Sequence, residues 1–313
     1  MSNPPWARGV RAAGYRVLGP GLAYVLHTRP AEWPIMAAHT TLGYLLAVGL
    51  AGAARGERLG SGALGLVAWV VGLNGGTLAI NSAFDRDEGD VAYLRNPPPP
   101  PAHLFGFGLS LMGAGLAAAL TLPAPFTLAY GVCFTLSILY SVPPFRLKAV
   151  AGADWLINMW GFGTLTPFAG WAATGLPLDP ARGLVLLAFC PLFAALYPLT
   201  QLYQMEEDHR RGDQTLALRL GLRRSLVVAV LCAGLALALL VAAGVRAGWR
   251  LHPSGDVARW GGIGLIGAAW AAVLLPWLSR HARLTSADHQ RRMYLALGAW
   301  AVTDVTVALA WGT

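Results

Sequence analysis

The sequence predicts an all-α membrane protein, with about nine transmembrane helices enclosing a central cavity. Three observations carry that prediction. The 313-residue chain is 56% hydrophobic and only 12% charged, about half the charged fraction of an ordinary soluble domain. Apolar stretches of about 18 residues or more recur along its whole length, each long enough to cross a hydrocarbon core. The 38 Gly and 21 Pro would burden soluble helices, yet membrane helices tolerate both, because small residues let neighbours approach closely. Lipid offers the backbone no hydrogen bonds, so every crossing stretch has to be helical.

The elements follow in chain order. The first 30 residues are basic and lack an apolar core, so no cleavable signal peptide is expected. Spans are then read at 34–54, 62–82, 103–122, 125–142, 155–175, 183–203, 225–245, 259–278 and 294–312. Only the turn Pro123-Ala124-Pro125 separates the third from the fourth. No soluble domain is evident, and residues 1–313 are read as one membrane domain.

The formal charge of +8 is explained by topology. Most of the 23 Lys and Arg residues fall in loops on the side of the N-terminus. Positively charged loops stay in the cytoplasm, which puts that side inward. No nucleic-acid partner is expected; the lipid bilayer is. Cys133, Cys190 and Cys232 lie isolated inside spans without ligand spacing, as small packing residues do.

The acids are informative. Eight of the 15 Asp and Glu residues sit in two short clusters. Asn81-Ser-Ala-Phe-Asp85-Arg-Asp87-Glu88-Gly-Asp90 closes the second span, and Gln201-Leu-Tyr-Gln204-Met-Glu206-Glu207-Asp208-His-Arg-Arg-Gly-Asp213 closes the sixth. Both spans run inward, so both clusters emerge on one membrane face. Asn81 and Asp85 share a helix face, with Glu88 three residues further on. Gln201, Gln204 and Asp208 share another, with Tyr197 a turn deeper. Carboxylates and amides without paired Cys or His suit a hard cation such as Mg²⁺, which is commonly held by one or two carboxylates plus substrate phosphates. The candidate metal ligands are Asp85, Asp87, Glu88, Glu207 and Asp208.

Cations stand beside these acids. Arg95 follows the first cluster, Arg146 and Lys148 follow the fourth span, and Arg210 and Arg211 follow the second cluster. Arg and Lys beside a carboxylate-held metal make a diphosphate site, and an apolar chamber above it would take a hydrocarbon tail. The expected substrate is therefore an isoprenyl diphosphate. Its leaving group departs once its developing charge is neutralised, in a chamber that keeps water from the resulting carbocation.

These motifs together resemble the UbiA superfamily of intramembrane prenyltransferases. The resemblance rests on Asn81-x-x-x-Asp85, on Tyr140-Ser-Val-Pro-Pro-Phe-Arg146-Leu-Lys148, and on Asp208-His-Arg-Arg-Gly-Asp-Gln-Thr-Leu-Ala-Leu-Arg-Leu-Gly221. It implies that Asn81, Asp85 and Asp208 line a Mg²⁺-diphosphate site, that Arg146 and Lys148 contact the diphosphate, and that Tyr140 and Asn158 line the cavity. It also implies transfer of the prenyl group to a hydrophobic aromatic or quinone-like acceptor. The chain departs from the family pattern at Ser82, at Gly89, and at Gln201 or Gln204, where acids are usual. A UbiA-type terpene cyclase, which needs no acceptor, is the alternative. A transporter would hold its charges near mid-membrane, whereas here they gather at one face.

Other intramembrane polar residues have blander readings. Asn158 is expected to face protein or substrate. For Asp304 the candidate local partners are Thr303 and Thr306, and for His39 and Asn74 interhelical hydrogen bonds are expected. Trp33, Trp155, Trp171, Trp249 and Trp260 fit an interfacial belt. The run Pro97 to Pro101 reads as a stiff polyproline exit or cap.

Overall fold

The computed structural model describes residues 5–85, 94, 96–212, 214–250 and 256–313, with no side-chain description for 5–8, 207 and 211. Among the described residues there is no strand. The helices are α1 (Pro5–Leu18), α2 (Gly21–His27), α3 (Trp33–Ala54), α4 (Leu59–Val67), α5 (Gly76–Asp85), α6 (Leu104–Ala119) and α7 (Ala124–Ser141). They continue as α8 (Ala153–Asn158), α9 (Thr166–Ala172), α10 (Pro180–Gln201), α11 (Met205–Arg211), α12 (Leu216–Arg246), α13 (Val257–Arg280) and α14 (Ser286–Trp311). A π-helical segment, Ala68–Gly75, joins α4 to α5, and a second, Met159–Leu165, joins α8 to α9.

Among the described residues, seven helical rods are long and apolar enough to cross a membrane: α3, α4–α5, α7, α10, α12, α13 with the short turn that extends it, and α14. The other two expected spans are helical but fall short of that standard. Helix α6 has 16 residues, ending ahead of the Pro123 turn. The rod over 153–172 is broken into three pieces by its π segment.

Helix ends are fixed by their sequence. Asp179 caps α10 by accepting hydrogen bonds from the Ala181 and Arg182 N–H groups. Thr215 caps α12, and Thr285 and Asp288 form a reciprocal capping box on α14. Gly49 in α3 and Gly221 in α12 adopt φ near +72°, so each helix bends where only glycine does so without strain.

Two apolar cores meet at Phe168. One joins α3, α10, α12, α13 and α14; the other joins α4–α5, α6, α7 and α9. Gly43 of α3 and Gly170 of α9 let the two backbones touch: a Cβ on Gly43 would overlap the Pro167 carbonyl, and one on Gly170 the Thr40 carbonyl. Trp171 is buried in the core, where its Nε1 donates to the Leu176 carbonyl, so it does not belong to the expected belt. On the N-terminal side, Arg11 donates to the Asn96 carbonyl, and His27 Nε2 lies 3.1 Å from the Pro98 carbonyl. These contacts tie α1 and α2 to the polyproline run.

Candidate active site

Asn81 and Asp85 occupy the last turns of α5. Four residues apart, they present their oxygens on one face. The loop between α7 and α8 brings two cations to that face. Lys148 Nζ donates to Asn81 Oδ1 at 2.7 Å and pairs with the Asp85 carboxylate. Arg146 Nη2 lies 3.7 Å from Asp85 Oδ1, and Ser141 Oγ donates to Asn81 Oδ1 at 3.2 Å. Lys148 and Asp85 are mostly buried, whereas the Arg146 side chain is 40% exposed. Arg146 is held at φ 37°, an unusual conformation for a side-chain-bearing residue.

A second group lies deeper. The Tyr140 and Tyr197 hydroxyls are 3.1 Å apart, joining α7 to α10, and Asn158 and Gln201 flank them within hydrogen-bonding reach. Rings climb α10 from there: Phe193 stacks near Tyr197 and Phe162, and Trp300 of α14 meets Phe193 edge-on. Two apolar cavities lie away from this polar centre. One, of about 180 Å³, sits between α10, α12 and α13; the other, of about 340 Å³, sits between α7 and the α8–α9 rod.

Other expected site residues are placed differently. Gln204 stands just ahead of α11 without a side-chain capping bond, and its amide NH₂ donates to the Tyr203 hydroxyl. Arg210 Nε folds back to the Glu206 carbonyl of its own helix. Asp208 is buried. Asp87, Glu88 and Arg95 lie outside the described residues, as does the side chain of Glu207. Among the described residues no three His, Cys, Asp or Glu side chains gather. The donor chemistry nevertheless fits a hard cation, because Asn81 Oδ1 and an Asp85 oxygen already converge on one positive charge, the Lys148 ammonium.

Sequence reasoning missed two buried charges. Asp154 is fully buried and bonded to Gln201; it stands four residues before Asn158, the spacing that marks a shared face. Arg29 is also buried, 3.6 Å from Glu32. Burial pushes the Glu32 carboxyl above its usual range, and the adjacent guanidinium pulls it partly back. Asp304 pairs with His39 Nδ1 at 3.0 Å rather than with a neighbouring threonine, and His39 Nε2 lies 3.2 Å from the Gly163 carbonyl. The Asn74 Nδ2 has no hydrogen-bond partner among the described residues, contrary to the interhelical bond expected for it.

A family model for the UbiA prenyltransferase family matches residues 42–299. The chain belongs to that family. A probable homogentisate phytyltransferase 2, chloroplastic, from Oryza sativa subsp. japonica is 33% identical over 190 residues. The match covers 57% of this chain and 49% of the relative, so the chain spans about half the length of the curated relative it matches. Solved UbiA structures share the fold. A homologue from Archaeoglobus fulgidus bound to GPP and Mg²⁺ aligns with TM-score 0.60 at 18% identity, over 91% of this chain and 99% of its own. The same homologue bound to DMAPP and Mg²⁺ also aligns with TM-score 0.60 at 18% identity, over 90% and 99%. A digeranylgeranylglyceryl phosphate synthase structure aligns with TM-score 0.68 at 13% identity, over 92% and 97%.

Proposed function

We propose that this UbiA-family protein is a Mg²⁺-dependent intramembrane prenyltransferase. It ionises an isoprenyl diphosphate and transfers the prenyl group to an aromatic or quinone-like acceptor. In this reading the chain crosses the membrane nine times, counting α6 and the segmented rod over 153–172. Its site faces the cytoplasm. The observation that carries the reading is the convergence of Asn81, Asp85, Arg146 and Lys148 at one end of an aromatic-walled bundle.

Asn81 and Asp85, with Asp208 and the acids of both clusters, would hold Mg²⁺. When bound, the ion neutralises charge on the departing diphosphate. Lys148 and Arg146 exchange their carboxylate partner for diphosphate oxygens, Arg146 gripping two at once and Lys148 acting as a compact charge. The prenyl C–O bond breaks with its electrons leaving on the diphosphate. Tyr140 and Tyr197 close the chamber floor, and the packed rings of Phe162, Phe193 and Trp300 keep water from the allylic cation. An electron-rich acceptor carbon then bonds to the prenyl carbon and loses its proton. The rice relative, named as a homogentisate phytyltransferase, supports an aromatic acceptor.

The test is product analysis with purified protein, Mg²⁺ and prenyl diphosphates of ten to twenty carbons, with and without phenolic acceptors. Diphosphate release that depends on acceptor and stops in EDTA is expected. Acceptor-independent release with a cyclic hydrocarbon would replace the transferase with a terpene cyclase. Full turnover in excess EDTA would overturn the metal dependence.

A further inference from the structure

We propose that Asp154 is a positioning residue that sets the diphosphate-gripping loop in register with α10; this rests on the functional reading above. Asp154 opens α8 and is fully buried. Its two oxygens serve different elements. Oδ1 accepts the Gly152 N–H at 2.9 Å, fixing the end of the loop that carries Arg146 and Lys148. Gly152 sits at φ 95°, so that end turns in a conformation a side chain would strain. Oδ2 accepts the Gln201 Nε2 at 3.1 Å, at the last residue of α10.

The chain of bonds continues in both directions. Gln201 Oε1 accepts the Ala217 N–H at 3.2 Å, in the first turn of α12. The Asp154 carbonyl accepts Asn158 Nδ2 at 2.7 Å, and Asn158 in turn flanks the Tyr140–Tyr197 pair. The carboxylate therefore links the cationic loop to the helix that leads into the second acidic cluster, and the backbone carbonyl of the same residue ties in the tyrosine floor. Both its oxygens are committed to N–H donors, so it shapes the site rather than ligating a metal.

The donors and acceptors run in one sense only. Ala217 N–H can only donate, which forces Gln201 to turn its oxygen to Ala217 and its NH₂ to position 154. Gly152 N–H can only donate, so position 154 must accept there too. Asp154→Asn has no satisfactory orientation, because its NH₂ meets either the Gln201 NH₂ or the Gly152 N–H. Gln201→Glu sets two carboxylates against each other. The double variant restores every bond and reverses only the one between 154 and 201, since the new amide at 154 donates to the new carboxylate at 201 while the Gly152 and Ala217 N–H groups still donate.

The experiment is a double-mutant cycle on full-length protein in detergent, read as the dissociation constant of geranyl diphosphate with Mg²⁺ by calorimetry. Each single variant is expected to bind about tenfold or more weakly, the scale of one misplaced buried hydrogen bond, and the double variant to return to near the wild-type value. Wild-type affinity in Asp154→Asn would overturn the proposal, as would a folded double variant as weak as the singles. If the singles do not fold, the double variant decides alone: wild-type affinity supports the register role and weak affinity overturns it. A wild-type chain that binds no prenyl diphosphate would instead overturn the functional reading, and this inference with it.

Discussion

At the scale of single residues, the proposed mechanism turns on the Asp85–Lys148 pair exchanging partners. Asp85 and Lys148 are each mostly buried and each compensates the other. A buried charge pair of this kind is weak evidence for stability and better evidence for a site whose charges find other counter-ions in the working complex. Asp85→Ala should therefore reduce turnover by about 100-fold or more while the circular dichroism spectrum stays that of the parent. Turnover within a few-fold of wild type would place the chemistry elsewhere. Asn81, Asp85, Arg146 and Lys148 were all legible in the sequence, because their spacing relative to span ends is a local property. The partners of Asp154 and Asp304 were not, because they arrive from residues 47 and 265 positions away.

At the scale of elements, caps and close crossings hold the site's walls. Asp179 is only partly buried; burial alone would raise its carboxyl, but bonds from the Arg182 backbone and side chain and from the Ala181 N–H hold it below the usual range. A carboxyl depressed by folding contributes stability above its unfolded value, near 4, and that contribution disappears as pH falls through the lower folded value. Asp179→Ala is expected to cost about 1 kcal/mol at neutral pH, and the gap between the two melting temperatures should narrow below pH 4. An unchanged gap at acid pH would mean that the cap does not act through its ionised form. The α3–α9 crossing is less forgiving. Gly170→Ala sets a methyl group against the Thr40 carbonyl, and overpacking of this kind costs about 1–3 kcal/mol. A melting temperature in detergent equal to wild type would show that the two helices can separate freely. Hydropathy located the nine expected spans, most of them to within several residues, but began α12 and α14 eight or nine residues late, passed over the short helices α1, α2 and α11, and gave no hint of the π segments.

At the scale of the whole molecule, the proposed orientation rests on the distribution of Lys and Arg among the loops. Cysteine-free protein, with Cys133, Cys190 and Cys232 replaced, can carry one reporter at Arg210→Cys or Arg55→Cys, both exposed positions. In sealed right-side-out vesicles, a membrane-impermeant thiol reagent should label position 55 and spare position 210. The reverse pattern would turn the site outward and contradict the charge argument.

The bonds between α3 and α14 bear on how such a chain is made. His39 faces Asp304, and the Leu50 N–H, freed by the bend at Gly49, donates to the Gly312 carbonyl. Asp304 and Gly312 lie far beyond α3 in the chain, so translation delivers the two sides of these bonds well apart in time. Until α14 is made, the Leu50 N–H and one nitrogen of His39 lack the partners they have in the fold, an expensive state in hydrocarbon. The packing of α3 is therefore completed only after every span between it and α14 has been synthesised.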